Sequence, residues 1–397
     1  MKVSDQSGSS PASPEQSHST SDTQVAWLAL ALTPGLGPRR ILRAYEVLGD
    51  VTRIFRLSLT ELEALNFPAP AVQFLFEGKA RREAEDELAR VLEQGGTMLF
   101  YPDEDYPDRL REIFDPPPVL WIRGERSILS RPSIAVVGTR HPTPYGSGMA
   151  EMLSRDLATR RLVILSGMAR GIDTYAHRGA LAAKGQTVAV WGTGIDVIYP
   201  KENKQLAENI LSTGGAIVSE NRLGTFPAPQ NFPRRNRILS GMSVGVLVVE
   251  AGENSGTRIT ARCALEQNRD VFAVPGNVTT KNAWGPNTLI KQGAKLVATW
   301  EDVWEELPSQ IRVNLEDELG FASADGQTAS LVDETPLEEQ ERVVLSALRH
   351  DEAVQLDELI EKLDPALSSS EIFTALFELE LAGRIKQLPG KNYVLRL

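Results

Sequence analysis

Cysteine is almost absent from these 397 residues. Cys263 stands alone, which excludes a disulfide framework and a cysteine-built zinc cluster. Histidine is nearly as scarce, and His18, His141, His177 and His350 lie far apart with no metal-ligand spacing, so no metal is expected. No apolar run approaches the ~18 residues of a membrane span. The N-terminus lacks the apolar h-region of a secretory signal, so a cytoplasmic, reducing setting is expected. A Walker A lysine, a G-x-S-x-G elbow and a persuasive Ser-His-Asp order are missing, as is a carboxylate cluster suited to metal-dependent phosphodiester hydrolysis. Binding without catalysis, and without a cofactor, is the simpler expectation. A basic excess is missing too. Lys plus Arg number 42 against 53 Asp plus Glu, a net charge of −11. That excludes a wholly basic nucleic-acid coat protein but leaves room for a local basic patch.

What is present is ordinary globular composition, 42% hydrophobic and 24% charged, long enough for two or more domains. Residues 1–22 are Ser-rich with few large apolar groups and read as a disordered tail. Short helical patterns over 23–95 predict a small all-helical domain, and the proline-bounded stretch 96–132 predicts a connector with little regular structure. From residue 133 short apolar runs alternate with helical patterns. The runs 134–137, 162–165, 187–190, 216–218, 244–249 and 271–274 predict a doubly wound parallel sheet over 133–306. Residues 307–335 are polar and acidic and read as a linker. Three helical patterns and a hairpin over 336–397 predict a winged-helix arrangement.

The candidate chemistry lies in glycine-rich segments at the ends of those runs, where such sheets bind ligands. Gly138, Thr139 and Arg140 pair a close-approach glycine with a forked phosphate donor. Ser166, Gly167, Arg170 and Gly171 offer an anion-binding nest, unless Asp173 simply pairs with Arg170 and His177 is helix packing. Gly192 to Asp196 ends a third run, and Lys201 either faces the ligand or sits at a solvent-facing helix start. The fourth segment is the most informative. Arg234, Arg235 and Arg237 surround Asn236 just after Phe232, opening a helix whose positive dipole end disfavours cations. A phosphate backbone would answer that charge, with Phe232 stacking on a base. The plainer alternative has one arginine bonded internally to the sheet and the others solvated. Ser255, Gly256 and Thr257 complete the set with small residues at another helix start. Five such loops on one sheet edge outline an anion-lined crevice, whose affinity is expected to fall steeply with salt.

The segments 134–140 (IAVVGTR), 166–173 (SGMARGID), 192–200 (GTGIDVIYP), 232–238 (FPRRNRI) and 271–276 (VFAVPG) resemble, in order and spacing, the DNA-processing protein A family (DprA, also called Smf), as do 285–290 and Gly293-Ala294. The resemblance covers about residues 25–397. It implies an extended Rossmann-like domain that binds single-stranded DNA, and a homodimer that loads the RecA recombinase during natural transformation. It further implies a mediator rather than an enzyme, an N-terminal module like a sterile alpha motif, and a C-terminal winged helix. The phosphate roles then fall on Arg140, on Arg234, Arg235 and Arg237, and on Ser255, Gly256 and Thr257. Two positions depart from the family pattern: Arg258 where an apolar residue is usual, and Asn268 where glycine is usual.

Rival readings remain open at this level. A Rossmann-like nucleotide phosphoribohydrolase also uses a Gly-Thr loop near a glutamate, here Gly256-Thr257 with Glu266. A duplex-binding regulator would use its winged helix, but the recognition-helix candidate 368–383 carries Glu371, Glu378 and Glu380 and no Lys or Arg. The Pro34-Gly35-Leu36-Gly37 turn, followed by Arg39 and Arg40, resembles a helix-hairpin-helix phosphate loop. The acidity is also uneven. Residues 133–306 hold 19 basic and 15 acidic groups, a charge of +4, whereas 307–397 hold 8 and 18, a charge of −10.

Overall fold

The computed structural model describes residues 14–253, 255–319, 339–348, 354–364, 367–381, 385–388 and 391–395. They fall in two compact units, within residues 1–322 and 323–397. The first is built on a nine-stranded sheet: β1 (Thr97–Phe100), β2 (Val119–Gly124), β3 (Ser133–Val137), β4 (Val163–Ser166), β5 (Thr187–Trp191), β6 (Ala216–Ser219), β7 (Gly245–Val248), β8 (Asp270–Ala273) and β9 (Lys295–Leu296). Their order across the sheet is β1-β2-β6-β5-β4-β3-β7-β8-β9. From β6 to β9 all pairings are parallel, and β1 and β2 add to the β6 edge in antiparallel fashion.

The parallel strands are apolar runs because both faces are covered. The two-residue period sends Ile134 and Val136 to one layer, against Leu153, Leu157 and Ala176 of helices Pro144–Thr159 and Ile172–Ala182. Ala135 and Val137 go to the other, against Ile238, Leu239 and Ala261 of helices Asn231–Met242 and Thr257–Glu266. The order of parallel strands reverses between β3 and β7, so the connections leave in opposite directions there and open a crevice at the strands' carboxyl ends.

Four sequence-based expectations need correction. The 96–132 stretch is not an irregular connector, since it contributes β1 and β2. Its many prolines obscured two short apolar runs, Met98-Leu99-Phe100 and Val119-Leu120-Trp121-Ile122, whose residues are all buried. The helical N-terminal residues do not form a core of their own. Trp27, Leu28 and Ile41 belong to one hydrophobic cluster with Trp121, Trp191 and Ile217 of the sheet. The buried Glu87 carboxylate ties the layers together by accepting from Trp121 Nε1 at 2.9 Å and the Leu223 amide at 2.7 Å. The linker expected over 307–335 begins with a helix, Ser309–Glu318, that buries Leu315 in the sheet's core, while 320–335 lie outside the described residues. Of the expected tail, 1–13 lie outside the described residues and helix Pro14–Leu32 covers the rest.

The second unit has helices Glu339–Ala347, Leu356–Leu363 and Ser369–Leu381 with a small antiparallel sheet of Val354–Gln355, Asn392–Leu395 and Ile385–Leu388. Its core gathers Val344, Leu359, Ile372 and Leu379.

Candidate nucleic-acid interface

The crevice beside β3 and β7 is an open cleft of about 420 Å³. Its walls bring together Gly138, Thr139 and Arg140 after β3, Gly167 and Ala169 after β4, and Ser255, Gly256 and Thr257 after β7. Phe232, Arg235 and Asn236 at the start of helix Asn231–Met242 close it. Four of the five loops singled out in the sequence therefore converge on one place.

Backbone packing fixes the first two loops against each other. Thr139 donates its amide to Glu250 O at 2.7 Å and accepts from the Ile172 amide at 3.1 Å. Gly171, at φ 76°, lies so close to the Thr139 carbonyl that any Cβ there would collide with it. Helices Asn231–Met242 and Thr257–Glu266 both begin at the cleft, with no acidic residue in the first turn and no side-chain cap. Their first amides and positive dipole ends are a provision for an anion. The local chain already engages several of these amides: Thr257 N donates to Ser255 Oγ at 3.2 Å, Arg258 N to Ser255 O at 3.2 Å, Ile259 N to Gly256 O at 3.0 Å and Asn231 N to Ala228 O at 3.0 Å, so the positive dipole ends carry most of the provision.

Arg140 is the exposed cation of the cleft, its guanidinium carbon 5.8 Å from the centre of the Phe232 ring. Phe232 is half-buried, lying against Gly192 and Tyr199, whose ring centre is 5.6 Å away. An aromatic surface beside a free guanidinium suits a base next to its phosphate.

The other predicted residues divide. Arg235 is the arginine bonded internally to the sheet. It is 5% exposed, donates to the Val190 carbonyl, and packs directly on Gly167. Its Nε is buried without a partner. Burial pushes its guanidinium below the ordinary arginine value, with Asp173 opposing and Arg140 adding to the shift. Asp173, 6% exposed, is pushed up by burial, and Arg235 holds it back. Its carboxylate accepts from the Gly167 and Ala169 amides at 3.1 and 3.2 Å, so these amides serve the fold and Asp173 does not pair with Arg170. Arg170 pairs instead with Glu202 on the surface. Ser166 is buried and donates to Val136 O at 2.7 Å. Arg237 is turned away from the cleft, 2.5 Å from Glu220 and 3.1 Å from Asp115. Arg234 and Lys201 are exposed and do not line the cleft. The phosphate role expected of Ser166, Arg170, Lys201, Arg234 and Arg237 is therefore not met by this cleft, and Gly171 acts as a backbone spacer.

His177 is buried packing. It hydrogen-bonds Thr187 Oγ1 at 2.7 Å, and burial, with Arg235 nearby, lowers its pKa from 6.5 to about 3. Thr187 donates its own proton to Ile164 O, so the imidazole donates from Nδ1. Sequence reasoning missed Asn282, and placed Glu250 at its strand end without a role. Asn282 lines the cleft and donates to His141 O at 2.9 Å, while the buried Glu250 carboxylate accepts from Thr143 N at 2.9 Å. Asn282 lies nine residues beyond the end of β8, too far along its loop to be read as part of a strand-end segment. Among the described residues Arg258 forms no surface salt bridge. It donates to Glu253 O at 2.9 Å and lies 5.1 Å from the Trp284 ring centre. Asn268 has φ 55°, a left-handed position where glycine is the easiest fit and asparagine is tolerated. Among the described residues no cluster of His, Cys, Asp or Glu is fit to hold a metal ion, and no helix is long and apolar enough to cross a membrane.

Comparison with known proteins agrees with this architecture. The family described as DNA recombination-mediator protein A matches residues 97–308, and the DprA winged helix domain matches residues 329–391. Protein Smf of Escherichia coli K12 is 41% identical over 318 residues, 80% of this chain and 82% of its own length. The DNA processing protein DprA of Bacillus subtilis is 44% identical over 224 residues, 56% of this chain and 75% of its own. The X-ray structure of DprA from Streptococcus pneumoniae superposes with a TM-score of 0.62 at 36% identity, covering 72% of this chain and 98% of that one. With a mainly parallel nine-stranded sheet and a C-terminal winged helix domain, the chain belongs to the DNA recombination-mediator protein A family.

Proposed function

We propose that the chain binds single-stranded DNA in the switch-point cleft and acts as a non-catalytic, cytoplasmic mediator, protecting the strand and passing it to the RecA recombinase as a homodimer. The observation that carries the binding step is the convergence of two uncapped helix starts with the exposed Arg140 beside the Phe232 ring. Phosphates sit on Arg140 and against the positive ends of the two helices, and a base packs on Phe232 without sequence readout. Two linked clefts in a dimer raise effective affinity without new contacts.

The rival phosphoribohydrolase reading needs a glutamate at the Gly256-Thr257 loop. Glu266 sits at the far end of helix Thr257–Glu266, about 14 Å along its axis by the rise per residue, and pairs with Arg262. A duplex-binding winged helix is also disfavoured, since Ser369–Leu381 presents Glu378 and Glu380 with exposed Phe373 and Phe377 and suits a protein contact better.

Competition between single-stranded and duplex DNA tests the proposal, with single strands expected to win. Arg140→Ala removes a charge-assisted contact and is expected to weaken the single strand about 10- to 100-fold while leaving the melting temperature unchanged. Unchanged affinity would overturn the site. RecA nucleation on the same strand, with and without the protein, tests the hand-over, and sedimentation tests the dimer.

A further inference from the structure

A second cleft, larger than the first at about 950 Å³, opens where helix Pro38–Leu48 meets the loop before β2. Arg39, Arg40 and Arg43 line it, all exposed, and no carboxylate pairs with them among the described residues. Their helix starts at Gly37 with no side-chain cap and no acidic first turn. Two carboxylates share the walls, Glu46 and Asp115, the latter sharing Arg237 with Glu220, and they are outnumbered by Arg39, Arg40, Arg43 and Arg111. The cleft is therefore cationic. Beside it stands Phe114, 73% exposed, with the Arg39 guanidinium carbon 3.7 Å from its ring centre. A large aromatic side chain held out into solvent under a guanidinium repeats the pairing of Phe232 with Arg140.

The two clefts are connected. A groove of about 570 Å³ adjoins both, sharing Pro233 with the first and Phe114 with the second, and its walls carry Arg237 and Arg269 beside Glu112, Asp115 and Glu266, so a strand crosses it by its bases and not by its phosphates. Pro233 adjoins Phe232, so the groove links the two aromatic stations along one surface of the same compact unit.

We propose that a single strand leaving the switch-point cleft continues along this groove, stacks on Phe114, and lays its phosphates on Arg39, Arg40 and Arg43. This extension rests on the single-strand reading of the first cleft. It gives the N-terminal helices a direct part in binding and lengthens the occluded site, within the range of 4–16 nucleotides typical of single-strand modules.

The test compares an oligothymidylate of about six nucleotides, enough for the first cleft, with one of about thirty. Both are titrated by fluorescence anisotropy over a range of salt. The variant Arg39→Ala/Arg40→Ala/Arg43→Ala is expected to bind the short strand as the parent does and the long strand at least about tenfold more weakly. Its log–log salt slope for the long strand is expected to fall by about 2, at 0.7 per lost phosphate contact. Phe114→Ala is expected to lose about fivefold or more on the long strand alone. All four side chains are exposed, and an unchanged melting temperature confirms folding. Long-strand affinity and slope equal to the parent would overturn the extension, as would equal weakening of both strands. Failure of the parent protein to bind either strand would overturn the function itself, and this extension with it.

Discussion

Arg237 stands two residues from Arg235 in the most basic stretch of the chain, yet its replacement is expected to destabilise the fold rather than to release DNA from the switch-point cleft. Its guanidinium lies 2.5 Å from Glu220 and 3.1 Å from Asp115, and the side chains of Arg237 and Glu220 are only 12% and 8% exposed. Burial pushes the Glu220 carboxyl above its ordinary range, and Arg237 is the largest influence holding it down. Arg237→Met keeps the bulk but strands a buried carboxylate. Breaking a buried pair from one side costs about 3–5 kcal/mol. With about 2.1 cal/mol/K of unfolding entropy per residue, the unit within residues 1–322 should melt about 4–7 °C lower. Scanning calorimetry measures this, and the affinity of the folded variant for a strand short enough to occupy the switch-point cleft alone should match the parent. Adding Glu220→Gln removes the stranded charge and should recover part of the loss, which a double-mutant cycle isolates. A variant that melts normally but binds that short strand poorly would refute the reasoning, because Arg237 would then face the switch-point cleft.

Two further outcomes follow from buried groups. His177 stays neutral in the fold down to about pH 3, whereas the unfolded chain takes up its proton near 6.5. The unfolded state binds more protons between those values, so stability should fall as pH drops through that window, by up to about 1.4 kcal/mol per unit. His177→Gln, measured by urea unfolding at several pH values, should flatten this slope, and an unaltered slope would exclude His177 as its source. Gly167→Ala forces a methyl against the buried Arg235 guanidinium. Overpacking there should cost about 1–3 kcal/mol and displace the loop after β4. A variant as stable as the parent, with the same affinity, would show that Arg235 has room to move.

The sheet was legible because its parallel strands are buried on both faces and so leave plain apolar runs, such as 134–137 and 244–249. β1 and β2 were not, since nearby prolines signal irregular chain regardless of what the intervening residues do. The cleft was legible as a set of strand-end loops, because topology alone brings such loops to one edge. The roles of the individual arginines were not. At 3.6 residues per turn, each step rotates a side chain by about 100°, so Arg234, Arg235 and Arg237 leave their helix in three directions. One meets solvent, one the sheet, one Glu220. Composition records three equal charges, and only the surroundings of the helix decide which faces a ligand.

That division of the arginines changes what salt should do. An acidic chain with a basic sheet region suggested steep salt dependence, but counterion release counts phosphates neutralised by cations, and hydrogen bonds from neutral amides add nothing to the slope. In the switch-point cleft Arg235 is balanced by Asp173 and Arg237 is turned away to Glu220, leaving Arg140 as the exposed cation. The rest of the anion provision is the two helix starts, whose amides are uncharged. A strand short enough to occupy this cleft alone should therefore show a log–log slope of only about −0.7, the value for one phosphate contact. Arg140→Ala should bring that slope close to zero. Titration of a short oligothymidylate at several salt concentrations reads both numbers directly. A short-strand slope of about −2 or steeper in the parent would mean that further cations, Arg234 or Lys201 first among them, swing onto the strand when it binds.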